Sequence, residues 1–177
     1  MKLSVRQIVV AGMLGGIAIF LGATRLGFIP VPTPAGHATI MHLPVIIGAI
    51  MEGPLVGTLI GFIFGLYSLL NATVPFFADP LVAILPRLFI GVAAYGAYRA
   101  LGKGKKGLVA AAVAGTAANT IGVLGMILLR GYLPWPVVSA IAVTNGIPEI
   151  IVAIILVVLI MPAVTRVARL SPTRERA

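Results

Sequence analysis

Long apolar runs alternate along the chain with short polar or proline-rich interruptions. Six runs can be drawn, at about 5–24, 39–52, 54–72, 80–101, 107–129 and 137–165. None has the ten-residue apolar–polar alternation of a barrel strand, so the pattern predicts helices. Four runs reach the roughly 20 residues that cross a hydrocarbon core of about 30 Å, and the third is adequate at 19. The second, with 14 residues and both Pro44 and Gly48, is short, so its depth is open. The first run has no signal-peptide cleavage pattern and is expected to stay in the mature chain. Asp79-Pro80 reads as a helix start, since Asp79 can cap free backbone N–H groups and Pro80 has no N–H to lose.

Composition turns this pattern into a class. Of 177 residues, 60% are hydrophobic and only 10% charged, with mean hydropathy +1.14. That is too little polar surface to cover a globule in water, where about 25% of residues are charged. Lipid is then the solvent for most of the exterior, and helices are the spanning solution. The expected fold is an all-α membrane protein: one domain over 1–177, a bundle of six transmembrane helices.

The net charge of +9 might suggest nucleic acid, but its distribution reads as topology. Lys2, Arg6, Arg99, Lys103, Lys105, Lys106, Arg166, Arg169, Arg174 and Arg176 fall on one side of six spans. Arg25 and Arg130 fall opposite, and Arg87 lies within. The positive-inside rule makes both termini cytoplasmic in a cell membrane. The three outer connections are long, aromatic or proline-rich. The first carries Pro30, Pro32 and Pro34, expected to hold it near polyproline II. The second carries Phe76 and Phe77, and the third the single Trp135. By contrast the inner turn Glu52-Gly53-Pro54 is minimal. Such a chain receives something from outside.

Four polar positions lie at membrane depth: Arg87, Asn119, Asn145 and Glu149. Intramembrane ionisable residues face a cavity or a partner and mark function by default. Asn145 and Glu149 share a helix face, with Pro148 between them expected to kink the helix and free the Thr144 carbonyl. Arg87 and Glu149 can neutralise one another, can line a ligand cavity, or both. Small-residue stripes run down the first helix (Ala11, Gly15, Ala18, Gly22), the third (Gly53, Gly57, Gly61, Gly65) and the fifth (Ala110, Ala114, Ala118, Gly122). They let helices approach closely in lipid. Most serve packing inside one bundle, and the stripe on the first helix is the one expected to dock another subunit.

Other chemistries find no support. His37 and His42 lack a third ligand at metal spacing and read as polar residues at the outer water boundary. There is no cysteine for a disulfide or thiolate. Ser68 lacks the nucleophile-elbow frame and a base at its depth. No phosphate-cradling loop exists for ATP hydrolysis by this chain. An enzyme is not expected, and no cofactor is implied.

The order of blocks carries a resemblance. It runs from the small-residue face of the first helix and the Pro-rich loop to Met41-His42-Leu43-Pro44-Val45-Ile46-Ile47-Gly48-Ala49-Ile50 and Glu52-Gly53-Pro54-Leu55-Val56-Gly57. Ala78-Asp79-Pro80-Leu81-Val82-Ala83-Ile84-Leu85-Pro86-Arg87-Leu88-Phe89-Ile90-Gly91 and Asn145-Gly146-Ile147-Pro148-Glu149 follow. Over nearly its whole length the chain resembles the substrate-binding S component of energy-coupling factor (ECF) transporters, in their pantothenate and general vitamin branch.

The resemblance implies a six-helix protein that captures a vitamin on the outer side, then docks on a transmembrane coupling subunit driven by two ATPases. It places the site in the outer halves of helices four to six, with the outer loops as lid. The candidate binding residues are therefore Arg87, Asn119, Asn145, Glu149, Phe76, Phe77, Trp135 and His37. The coupling-subunit motif falls on Ala11, Gly15, Ala18 and Gly22, with Gly where the family often has Ala. An intramembrane Arg in an aromatic-lidded cavity suits a carboxylate such as pantothenate. If Glu149 neutralises Arg87, that preference disappears and riboflavin, folate, cobalamin and pyrimidine precursors stay open. The alternative from another class is a free-standing carrier coupled to protons through Glu149, against which stands the lack of a second acid at depth.

Overall fold

The computed structural model describes residues 3–30 and 37–170. Its helices are α1 (Val5–Ala23), α2 (Leu43–Glu52), α3 (Pro54–Leu70), α4 (Pro80–Ala83), α5 (Leu85–Ala100), α6 (Lys105–Leu129) and α7 (Trp135–Leu170). A single 3-10 turn, Pro75–Ala78, precedes α4. Strands β1 (Phe28–Pro30) and β2 (His37–Thr39) pair antiparallel, with Phe28 opposite Thr39 and Pro30 opposite His37. The fold is mostly helical, with this short hairpin added beside the helices. The first connection, expected near polyproline II, is paired at both ends as a hairpin, and Pro32 and Pro34 lie outside the described residues.

Four helical stretches are long and apolar enough to cross a membrane: Val5–Ala23, Pro80–Ala100, Lys105–Leu129 and Trp135–Arg166. Large apolar side chains such as Phe20, Phe89, Ile121 and Leu159 stand exposed around the outside. In water that surface would be unfavourable; in lipid it is the solvated face.

The short helix α2 is the centre of the packing. Every residue from Leu43 to Ile50 is buried. Its ten residues rise only about 15 Å, half of a hydrocarbon core. It therefore fills one half of the bundle and leaves the other half for something else. Glu52 at its C-terminus pairs with Arg6 at 2.6 Å, which ties that end of α2 to the start of α1. His42 at the opposite end is fully buried rather than at a water boundary, and its Nε2 lies 2.9 Å from the Thr116 hydroxyl on α6.

Glycines set how closely the helices approach. A Cβ on Gly57 would sit 2.8 Å from the Gly91 Cα, and one on Gly61 would land on the Arg87 carbonyl oxygen. The backbones of α3 and α5 thus touch beside Arg87, and the Thr58 hydroxyl donates to the Leu88 carbonyl at 3.1 Å in the same seam. On α1 the stripe Ala11, Gly15, Ala18, Gly22 is buried within the bundle. A Cβ on Gly15 would meet Ile63 at 2.6 Å, and one on Gly22 would strike Tyr67 and Met41. The stripe expected to meet another subunit instead packs on α3 and the chain entering α2. The flank that α1 turns outward carries Gly12 and Gly16, both exposed with nothing within 4 Å of a Cβ.

One further expectation changes: the run 80–101 is broken at Ile84, where α4 ends and α5 starts. The helix α7 continues through Pro148 and Pro162.

Candidate functional site

Above the buried N-terminus of α2, where no helix continues, lies a cavity of about 890 Å³. Its walls come from the ends of α1, α3, α5, α6 and α7, and it is roofed by the hairpin and the 3-10 turn. Met41, just before α2, contributes to its lining.

Arg87 reaches this cavity because of the residue before it. Pro86 has no N–H, so the Val82 carbonyl four residues back loses its helical partner. Arg87 Nη1 donates to that carbonyl. The break at Ile84 and the seating of the guanidinium are thus one local event. The guanidinium lies between two rings, 5.3 Å from the centre of Phe64 and 5.2 Å from that of Phe77. Such cation–π contacts gain strength where water is excluded. Arg87 is 4% exposed, and its Nε has no hydrogen-bond partner. Asn119 on α6 is 5% exposed and lines the same cavity with its Oδ1 unpartnered. An unmet donor and an unmet acceptor thus lie enclosed just behind the lining of one cavity, and buried polar groups without partners call for an explanation such as a bound ligand.

Glu149 is committed elsewhere. Its Oε1 accepts from the Thr39 backbone N–H at 2.9 Å, and its Oε2 accepts from the Thr120 hydroxyl at 3.1 Å. The carboxylate therefore fastens strand β2 to α6 and α7. Among the described residues the ion pairs are Arg6–Glu52 and Arg130–Asp79, so Arg87 and Glu149 do not neutralise one another.

The outer mouth is held by a second acid. Asp79 Oδ1 accepts from the Leu81 N–H at 2.9 Å as the cap of α4. Its Oδ2 accepts from Arg130 Nε at 2.7 Å and from the Tyr132 hydroxyl at 3.1 Å. The turn carrying Phe76 and Phe77 is thereby bound to the α6–α7 connection carrying Leu133, and all three side chains line the cavity. The Phe76 ring lies 5.0 Å from that of Phe77 and 6.4 Å from that of Tyr132.

The Leu81 N–H, then the Arg130 and Tyr132 donors, hold the Asp79 carboxyl below the usual carboxylate range. A depressed folded-state value stabilises above the ordinary carboxylate pKa and is lost as pH falls through the lowered one. The mouth contact is therefore intact at neutral pH and released only in acid. Asn at position 79 keeps the cap but loses the ion pair. Asp79→Asn is expected to speed ligand release roughly three- to fivefold at neutral pH, read by stopped-flow displacement, the modest size reflecting a half-exposed Arg130.

Of the residues singled out from the sequence, Arg87, Asn119, Asn145, Glu149, Phe76 and Phe77 line the cavity. Trp135 does not: it is 65% exposed at the start of α7, outside the cavity lining. The side chain of His37 lies outside the described residues. Sequence reasoning missed Arg25, Thr39, Tyr67 and Asn71, which also line the cavity. Arg25 was legible as one of two cations expected on the outer side, whereas Thr39 acts through its backbone N–H and leaves no signal in residue type.

A half-span buried helix beneath a roofed, largely apolar cavity with a few polar groups suits a membrane protein that holds a small solute, and sequence comparison agrees. A family model described as "ECF transporter, substrate-specific component" matches residues 6–161, and this chain belongs to that family. It is a transport subunit rather than an enzyme. Among curated relatives it is similar to the pantothenic acid transporter PanT of Lactococcus lactis subsp. cremoris (strain MG1363), with 35% identity over 153 residues, covering 72% of this chain and 78% of the relative.

Proposed function

We propose that this subunit captures pantothenate in the roofed cavity, with the ligand carboxylate on Arg87 and its amide or hydroxyl groups on Asn119 and Asn145. The observation that carries this reading is the buried Arg87 guanidinium, seated beside the cavity with no ion-pair partner among the described residues and with its Nε unmet. A carboxylate gives that guanidinium charge-assisted hydrogen bonds, and Asn119 Oδ1 accepts from an amide N–H or hydroxyl. Pantothenate carries all three groups, and the likeness to a pantothenic acid transporter supports it.

In this reading the hairpin and the Phe76–Phe77 turn face outside, the chain crosses the bilayer six times with the half-length α2 and the hairpin leading into it making the second crossing, and both termini are cytoplasmic. That matches the placing of Arg6, Arg99 and Lys103 at the end remote from the cavity. The subunit then delivers its cargo by docking on a transmembrane coupling subunit with two ATPases. The inward packing of Ala11 and Gly15 makes the outward flank of Gly12 and Gly16 the part of α1 available to that partner. A proton-coupled carrier is less well supported, because both Glu149 oxygens are already bonded within the protein.

The test is purification from cells grown with pantothenate, followed by mass spectrometry of the retained small molecule and calorimetry of the emptied protein. One pantothenate per chain is expected, with panthenol, the neutral alcohol analogue, bound far more weakly. Retention of an uncharged vitamin, or equal affinity for panthenol, overturns the assignment.

A further inference from the structure

Arg25 sits where a side chain is unwelcome. It follows Thr24, the C-cap of α1, and its N–H donates to the Gly22 carbonyl at 3.2 Å, closing the helix end. The Phe28 N–H then donates back to the Arg25 carbonyl at 3.1 Å as the chain turns into β1. This geometry puts Arg25 at φ 59°, and among the described residues no other non-glycine residue has positive φ. Helices commonly end on a left-handed residue, and glycine takes that position because a Cβ crowds the following carbonyl. An observed backbone outlier at a cavity is a reason to ask what the side chain does.

The placement answers. Arg25 is exposed, lines the cavity at the hairpin side of its mouth, and makes no ion pair among the described residues. The other cation at that end, Arg130, is neutralised by Asp79. Arg87 is buried deep in the cavity and cannot act on a solute still outside. Among the described residues the mouth therefore carries one uncompensated positive charge, at its rim, on a backbone position that glycine would occupy with less strain.

We propose that Arg25 is the rim cation of this cavity: it draws anionic solutes to the mouth and sets the on-rate preference for a carboxylate over a neutral isostere. This deepens the anionic-ligand reading above and rests on it for the identity of the solute. A charge at a low-dielectric cleft raises the local concentration of its counter-ion and speeds association, and salt screens the effect. A rim charge changes the on-rate and its salt dependence, while a buried one changes the off-rate.

Arg25→Gly separates the two properties in one variant. It relieves the left-handed strain, so the melting temperature of the empty protein is expected to hold or rise. Pantothenate association is expected to slow about fivefold at low salt, with dissociation unchanged and the salt dependence flattened. Arg25→Lys restores the on-rate, and panthenol association is indifferent to all three residues.

A measurement independent of the ligand uses the absence of cysteine from the chain. A single Ala72→Cys on the cavity lining is modified with a sulfonate-bearing and a trimethylammonium-bearing methanethiosulfonate. The ratio of anionic to cationic rates is expected to fall several-fold in Arg25→Gly. An unchanged ratio overturns the proposal whatever the ligand. A lowered ratio in a protein that binds no pantothenate upholds the rim cation and overturns only the vitamin assignment.

Discussion

Arg87→Ala is expected to weaken pantothenate binding by about a hundred- to a thousandfold, because it strips the cavity of its buried cation. Truncating one partner of a buried, hydrogen-bonded charge pair costs about 2–5 kcal/mol, and each 1.4 kcal/mol is a factor of ten in affinity. Lysine at position 87 restores the charge but not the planar fork, so it recovers only part of the loss. The same substitution has a second effect that must be kept apart from the first. Arg87 satisfies the Val82 carbonyl orphaned by Pro86, and a buried carbonyl left unpaired costs about 1–3 kcal/mol of stability. The double change Pro86→Ala, Arg87→Ala returns a backbone N–H to that carbonyl. It should regain thermal stability while affinity stays low. Calorimetry and melting of the three proteins in one detergent check this. Arg87→Ala binding within twofold of the parent would remove the guanidinium from the site.

The second large effect is expected at Gly61. A methyl group there lands on the Arg87 carbonyl oxygen, which is backbone and cannot rotate away. The helices α3 and α5 must then separate, breaking the Gly57–Gly91 contact and the Thr58 hydroxyl bond to Leu88. Overpacking a filled core typically costs about 1–3 kcal/mol and sometimes more, and a backbone clash belongs at the upper end. Gly61→Ala should therefore melt well below the parent and bind ligand more weakly, since α5 carries Arg87. Gly96→Ala, on the facing helix α5, is the control. Nothing lies within 4 Å of its Cβ, so it should gain a fraction of a kcal/mol, up to about 1, from helix propensity. A Gly61→Ala protein that melts with the parent would mean that the seam between α3 and α5 is looser than drawn.

Much of the site was readable along the chain because its signals are local. The Asp79-Pro80 pair caps a helix within three residues, and Arg87 is conspicuous as a charge in an apolar run. Asn119 stands out for the same reason. What failed to be readable was direction and partnership. Gly12, Gly15 and Gly16 lie within one and a half turns of α1, so periodicity offers two small flanks and cannot say which faces in. The neighbours decide: Ile63 and Tyr67 cover Gly15 and Gly22, and nothing covers Gly12 or Gly16. Glu149 looked like a counter-charge for Arg87, yet it accepts from a backbone N–H 110 residues away. His42 looked like a boundary residue until the burial of α2 placed it inside.

The amino-acid sequence by itself determined that this is a helical membrane protein with a lone arginine at depth, because hydropathy over twenty residues and the cost of charge in lipid are properties of composition and spacing. Only the tertiary structure decided that α2 stops halfway and leaves a cavity, that Glu149 is used up holding the hairpin, and that Arg25 stands at the rim on a strained backbone. Those depend on which surfaces meet, and the meeting partners lie too far apart in the chain for any local pattern to name them.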